Sequence, residues 1–227
     1  MEWLHFTVLL YGVTALVSYF LGCFNGAVIV SKYILRDDVR DHGSGNAGLT
    51  NFYRTFGGLL TFVVILTDML KAVAALSVAA WLFRGGGEVA VVVAKYWAAA
   101  FCLFGHMYPC MFGFRGGKGI LSGGTIALMI DWRIALIVWG AFLVFFLLTR
   151  YVSLGSCVAG ATFPVGTILV YHPLLWDPAW SLHGWFVVLC SFFLGGLVIW
   201  KHRTNIKRLV AGNESKFSFH KKKGESK

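Results

Sequence analysis

Six stretches of this chain, residues 6–30, 59–83, 89–112, 134–149, 152–171 and 185–200, are apolar over lengths that only a lipid bilayer accommodates. Charge or clusters of Gly and Pro bound each one. The rest of the composition agrees: 58% of residues are hydrophobic, 13% are charged, and the mean hydropathy is +0.72. No water-facing surface of a 227-residue globule would carry that much Phe and Trp. A seventh run, 119–130, is too short to span, because twelve helical residues rise about 18 Å against a hydrocarbon core of about 30 Å. It is expected to be a broken or re-entrant helix shielded by its neighbours, since lipid offers no partner for free backbone groups. The expected fold is therefore all-α: a polytopic integral membrane protein of about seven helices, with residues 1–227 forming one domain and 201–227 a basic tail.

Lys and Arg accumulate in cytoplasmic loops, so their distribution predicts orientation. With the N-terminus outside and the C-terminus cytoplasmic, sixteen of the twenty Lys and Arg face inward, nine of them after residue 200, and only Arg84 and Arg133 face outward. The opposite orientation inverts that ratio. The first run is read as a retained helix and not a signal peptide, because its flank "MEWLH" lacks Lys and Arg and its 25 residues exceed a usual signal core. All five cysteines fall within apolar runs, which favours buried thiols over a disulfide framework.

Three polar interruptions all fall on the predicted cytoplasmic side. The first, "DHGSGNAGLTNFYRTFG", joins the first two helices. Gly45 and Gly48 let the backbone turn and approach a ligand, Ser44, Asn46 and Asn51 offer hydrogen-bonding groups, and Arg54 carries a planar charged fork suited to phosphate or carboxylate. A solvated turn before a helix cap would use the same residues. The second, "GHMYPCMFGFRGGKGILSGG", sets Arg115 and Lys118 beside Gly116 and Gly117, whose amides can surround an anion just before the short helix. It is not a nucleotide P-loop, since Gly119 follows Lys118 where Ser or Thr is required. The third, "KHRTNIKRL", holds His202, Arg203, Asn205, Lys207 and Arg208, and alone would be an ordinary basic flank of a membrane helix. Together the three are rich in donors for oxyanions, and none supplies an evident nucleophile with its base.

At these loops the chain resembles the acyl-phosphate-dependent glycerol-3-phosphate acyltransferases of bacterial membranes. The family's S-G-N-x-G-A-T-N followed by Arg is matched by "SGNAGLTNFYR", with Leu49 for Ala. Its G-H-x-F-P and F-K-G-G-K-G are matched by "GHMYP" and "FRGGKG", with Tyr108 for Phe and Arg115 for Lys. Its H-R-x-N-I-x-R-L and G-x-E appear in "HRTNIKRLVAGNE". Asp68 and Lys71 match an Asp-x-x-Lys in the second helix. The resemblance implies attack of the 1-hydroxyl of glycerol 3-phosphate on a fatty acyl phosphate, giving lysophosphatidic acid and phosphate, at a bacterial inner membrane with the site facing the cytoplasm. It implies catalytic roles for Arg54, Lys118, His202 and Asn205. Ser44, Gly45, Asn46, Gly48, Asn51, Arg115, Gly116 and Gly117 would bind substrate, with no metal or cofactor. The proton is taken either by a substrate phosphate or by His202.

Other readings compete. His172 and Asp177 have the H-x4-D spacing of another acyltransferase class, but they lie on the predicted outer side and a Pro-flanked turn explains them. Cys102, His106 and Cys110 repeat every four residues, yet a metal there needs a fourth ligand and Pro109 interrupts the helix. Asp68 and Lys71 are expected to form a buried pair supporting the loops. A transporter or flippase of a phosphorylated metabolite or lipid is the alternative function, and would place its polar residues at mid-bilayer. The basic end "HKKKGESK" suits anionic lipid headgroups, and it lacks the interleaved aromatics of a nucleic-acid platform apart from Phe217 and Phe219.

Overall fold

The computed structural model describes residues 2–217, which form helices, turns and loops without a strand among them. Helix α1 (Glu2–Cys23) ends at a break hidden within the 6–30 run. Asn25 makes the break: its Oδ1 accepts the Val28 N–H at 3.1 Å, capping the short α2 (Gly26–Ile29), while its Nδ2 donates to the Ala47 carbonyl at 3.0 Å. A buried amide must satisfy both ends, and here one end starts a helix and the other anchors the first polar loop. The expected single helix is therefore two pieces, and α2 runs on into a π-helical turn, Val30–Ile34.

The first loop folds into a 3₁₀ turn, Val39–Asp41, and then α3 (Leu49–Thr55). Helices α4 (Leu60–Phe83) and α5 (Gly87–Met107) form a hairpin through a 3₁₀ turn at Arg84–Gly86, followed by Gly87 at φ +82°. Helix α5 stops five residues short of the expected 112, because Pro109 cannot continue it; Cys110–Phe112 form a separate 3₁₀ turn. Cys110 thus leaves the helical register of Cys102 and His106, and its sulfur lies 3.9 Å from that of Cys23.

Helix α6 (Ile120–Ile130) has eleven residues, about 17 Å of rise, and does not reach across a bilayer. Neighbours enclose it as expected: Ser122 Oγ donates to the Asp68 carbonyl of α4 at 3.2 Å, and Trp139 Nε1 donates to the Gly124 carbonyl at 3.2 Å. Trp139 belongs to α7 (Trp132–Thr149), which Asp131 caps by accepting the Arg133 N–H at 2.8 Å. Helix α8 (Val152–Trp176) continues through Pro164 and Pro173, longer than the 152–171 run suggested. Then come α9 (Ser181–Lys201) and α10 (Arg203–Val210).

Five helical stretches are long and apolar enough to cross a membrane, and one of them, Leu60–Phe112, folds back at Arg84–Gly86 into α4 and α5. Glycines set the closest crossings. A Cβ at Gly22 would strike the Cys102 carbonyl, one at Gly105 the Tyr19 carbonyl, and one at Gly195 the Gly160 carbonyl, so α1 meets α5 and α9 meets α8 backbone to backbone. The core of Ala72, Leu76, Tyr96, Leu103 and Ile126 is fully buried or nearly so, while Leu147, Leu148, Leu182 and Leu189 point outward. That outward apolar belt is what a chain solvated by lipid presents.

Candidate active site

The three polar loops line one cavity of about 760 Å³, closed by the first turns of α6 and α8 and by the junction of α9 and α10. Of the twelve residues to which the resemblance gives catalytic or binding roles, eight meet there: Ser44, Asn46, Gly48, Asn51, Arg54, Lys118, His202 and Asn205.

Its best-ordered wall is a chain of hydrogen bonds. Lys118 Nζ donates to Asn205 Oδ1 at 2.5 Å, and Asn205 Nδ2 donates to Glu214 Oε1 at 2.6 Å. Glu214 also accepts Ser153 Oγ at 2.7 Å and Arg208 Nε at 2.7 Å. Burial alone would raise the Glu214 carboxyl; the bonds from Asn205, Arg208 and Ser153 outweigh it and hold the pKa below the usual range. Burial, with repulsion from Arg208 and partial relief by Glu214, brings Lys118 down to about 8. A cation so destabilised is one that an incoming anion would favour. Burial also pushes His202 down to about 4, aided by the charge of Lys118, so its imidazole is neutral at pH 7. His202 Nδ1 lies 2.8 Å from the Val198 carbonyl, which can only accept; the proton is therefore on Nδ1, and Nε2 presents a lone pair.

The first loop divides its labour. Asn51, expected to bind substrate, spends its amide on the loop itself: Oδ1 accepts the Ser44 N–H, and Nδ2 donates to the carbonyls of Val39 and His42, all at 3.0 Å. Gly45 does not reach the cavity; at φ +66° it completes a turn by donating to the His42 carbonyl. Arg54 is exposed, and its only protein hydrogen bond among the described residues is a long one, 3.4 Å, to the Ser215 carbonyl. Its fork is left available to an anion.

The second loop corrects the amide nest. Gly116 and Gly117 donate their N–H groups to the carbonyls of Met107 and His106, each at 3.2 Å, so those amides face α5 and not the cavity. Their lack of a side chain serves close approach: a Cβ on Gly116 would collide with the His106 carbonyl, and one on Gly117 with His106 Nε2. Arg115 is exposed and does not line the cavity. Its carbonyl and that of Phe112 accept Arg40 Nη1 at 3.4 and 2.7 Å, while Asp38 grips the same guanidinium at 2.7 Å. Arg40 thereby ties the first loop to the second, a role that charge counting alone did not reveal. From this segment the cavity is reached by His106 at the end of α5, by Lys118 and Gly119, and by the first turn of α6.

Below the loops lies a buried network. Lys71 Nζ donates to Asp68 Oδ1 at 2.7 Å, to the Phe24 carbonyl at 3.0 Å and to His106 Nδ1 at 2.6 Å. Asp68 Oδ1 further accepts the Gly26 N–H at 3.4 Å. This pair supports the loops as expected, by locking the α1–α2 break to α4 and α5. Asp68 and His106 also touch the cavity; in the sequence His106 is weighed only as a metal ligand and Arg208 only as part of a basic flank, while Ser153 and Glu214 are given no role. The G-x-E in "HRTNIKRLVAGNE" was the available signal for Glu214.

The remaining wall is apolar, formed by Trp139, Phe142, Phe146 and Phe217. Phe217 stacks on Tyr53 and donates its N–H to the Arg150 carbonyl, so residues 201–217 pack onto the site and do not trail away from it. The final "HKKKGESK" lies outside the described residues. Trp139 and Phe142 also border a narrow apolar cleft of about 40 Å³ between α6, α7, α8 and α9. His172 and Asp177 line neither space. No group of three or more His, Cys, Asp or Glu suited to a metal occurs among the described residues.

The family model described as glycerol-3-phosphate acyltransferase matches residues 12–212. Proteins named glycerol-3-phosphate acyltransferase from Thermoanaerobacter pseudethanolicus and Pseudomonas aeruginosa are 35% and 36% identical, each over 203 residues, covering 89% of this chain and 93% and 97% of theirs. The crystal structure of PlsY, an integral membrane glycerol 3-phosphate acyltransferase, in its glycerol 3-phosphate form matches with a TM-score of 0.74 at 29% identity, over 92% of this chain and 96% of that one. Its lysophosphatidic acid form matches with a TM-score of 0.69.

Proposed function

The chain belongs to the glycerol-3-phosphate acyltransferase family, and from that premise we propose that it uses a fatty acyl phosphate as donor, acylating the 1-hydroxyl of glycerol 3-phosphate to give lysophosphatidic acid and phosphate. One observation carries the choice of donor. The cavity holds cations for two phosphates, Arg54 and Lys118, but no Ser or Cys hydrogen-bonded to an imidazole among the described residues. Ser153 donates to Glu214, and Ser156 donates to the Val152 carbonyl at 2.7 Å. Without an activated nucleophile the hydroxyl attacks the donor directly, and the paired cations suit a donor whose leaving group is itself a phosphate, as in a mixed anhydride.

The substrate hydroxyl oxygen attacks the carbonyl carbon, the bond from that carbon to the phosphate oxygen breaks, and inorganic phosphate leaves. Lys118 and Arg54 offset the charge on the phosphates. His202 Nε2 accepts the hydroxyl hydrogen bond and aims the attack. With a pKa of about 4 it is a poor final base. A phosphate with a pKa of about 6 takes the proton more readily. The acyl chain would follow the aromatic wall toward the cleft beside Trp139. We further propose that the site faces the cytoplasm of a bacterial inner membrane, supported by the inward bias of Lys and Arg, and that residues 1–227 act as one domain.

The test is direct: purified protein in detergent, palmitoyl phosphate and glycerol 3-phosphate, scored for lysophosphatidic acid and phosphate, with palmitoyl-CoA as the comparison donor. Turnover with the phosphate alone supports the reading. Equal rates with both donors would refute it.

A further inference from the structure

We propose that His106 is a substrate-contacting residue whose Nε2–H donates a hydrogen bond to an anionic oxygen in the cavity, an assignment that rests on the acyl-transfer reading above. Lys71 sets the tautomer of His106. Its ammonium has three hydrogens and no lone pair, and three groups lie within reach: Asp68 Oδ1 at 2.7 Å, the Phe24 carbonyl at 3.0 Å and His106 Nδ1 at 2.6 Å. Each must accept. His106 Nδ1 therefore offers its lone pair, and the single proton of the neutral ring sits on Nε2.

A protonated Nδ1 would point N–H against N–H at 2.6 Å, and the Asp68 oxygen that might compensate is 3.7 Å away and already held by Lys71. The buried network thus acts as a tautomer lock.

Among the described residues the donor it creates meets no acceptor. His106 is 2% exposed, lines the cavity, and its Nε2 has no hydrogen-bond partner among the described residues. Nε2 is not among the sealed buried polar atoms that lack a partner, so it opens onto the cavity, where a bound group can accept its hydrogen. The surroundings point the same way. Nε2 packs on the bare Cα of Gly117, where any Cβ would collide with it, one residue from Lys118 and beside the first loop at Ala47. The absent side chain at Gly117 leaves the imidazole edge room to stand between the two loops.

His202 completes the logic, because its tautomer is the opposite one. There Nδ1–H is committed to the Val198 carbonyl and Nε2 accepts. The two neutral imidazoles in one cavity present complementary edges, one donating to an oxygen that carries negative charge and one accepting from a hydroxyl. The oxygen served by His106 is either that of the carbonyl as it becomes tetrahedral or one of a substrate phosphate.

Two substitutions separate donor from lock. His106→Asn keeps an acceptor, Oδ1, near the place of Nδ1 and so preserves the Lys71 contact, but nothing reaches the place of Nε2. His106→Gln restores a donor near Nε2 and abandons Lys71. We expect His106→Asn to melt within a few degrees of wild type while kcat/KM falls roughly ten- to a hundredfold, and His106→Gln to melt lower yet turn over faster than His106→Asn. A loss in kcat alone identifies the carbonyl oxygen, and a rise in KM for either substrate identifies its phosphate. Activity of His106→Asn within twofold of wild type would overturn the proposal.

A second measurement does not depend on the donor substrate. In protein carrying ¹⁵N-labelled histidine, His106 should be protonated at Nε2, and titration with inorganic phosphate reads which oxygen it serves. A proton on Nδ1 overturns the assignment even if acyl transfer is sound; with the proton on Nε2, a response to phosphate assigns the donor to a phosphate oxygen, and no response assigns it to the carbonyl oxygen. Wild-type protein inactive with acyl phosphate, but with an Nε2–H that responds to phosphate, would instead refute the reaction and leave the donor standing.

Discussion

Raising the pH through about 8 should weaken phosphate binding in the cavity without unfolding the protein, because that is where Lys118 loses its charge. A lysine is cationic below its pKa, so its contribution to anion binding is full below about 8 and declines as pH rises through it. Glycerol 3-phosphate does not confuse the signal: a phosphate monoester has its second pKa near 6 and stays a dianion across this window. At pH 9 about one site in ten retains the ammonium, so affinity should be about tenfold weaker than at pH 7, equivalent to about 1.4 kcal/mol. The fall continues toward the lysine's pKa in the complex, which an adjacent dianion restores toward or beyond the ordinary 10.5.

Stability moves the other way. The folded, ligand-free protein sheds this proton before the unfolded chain does, so between about 8 and 10.5 the unfolded state binds more protons and Lys118 contributes rising stability with pH. Isothermal titration of glycerol 3-phosphate into detergent-purified protein between pH 6.5 and 9.5, alongside the melting temperature, reads both effects. Lys118→Arg should flatten the binding profile, since a guanidinium stays charged throughout. Affinity that agrees within twofold at pH 7 and pH 9, or the same decline in the arginine variant, would refute the reasoning.

Glu214→Ala removes an acceptor that holds Ser153, Asn205 and Arg208 at 2.6 to 2.7 Å, and should lower stability by about 3 kcal/mol and turnover more than tenfold; wild-type melting and rate would show that the clamp does not order the site. Gly123 borders the apolar cleft, and a Cβ there meets nothing within 4 Å. Gly123→Val should therefore fold normally yet displace two or so methylenes of a bound chain, at about 0.8 kcal/mol each. The C18 donor should then lose about tenfold in kcat/KM relative to a C10 donor, and a uniform effect across chain lengths counts against this path. A reporter fused after Lys227 should read cytoplasmic, and one inserted between α8 and α9 should read external; an external reading at Lys227 would invert the orientation.

Much of this protein was determined by sequence alone, wherever the cause is local or cumulative. Apolar runs and a twelve-residue run too short to span dictate a membrane bundle with one enclosed short helix, because burial in lipid acts on each stretch independently of its neighbours. The loop motifs likewise singled out Arg54, Lys118, His202 and Asn205, which line one cavity.

What sequence could not decide is how each polar group spends its hydrogen bonds. Asn25 looks like one polar residue in an oily run, yet it breaks the helix because Ala47, twenty-two positions on, offers a carbonyl. Asn51 and the amides of Gly116 and Gly117 have the chemistry of anion ligands, and lose that role because backbone carbonyls claim them first. His106 has the chemistry of a metal ligand or a core histidine, and becomes a cavity-facing donor only because Lys71, thirty-five residues earlier, occupies its other nitrogen. A donor or acceptor has a fixed capacity, its type is written in the residue, and its partner is chosen by tertiary contacts between segments that a linear reading does not bring together.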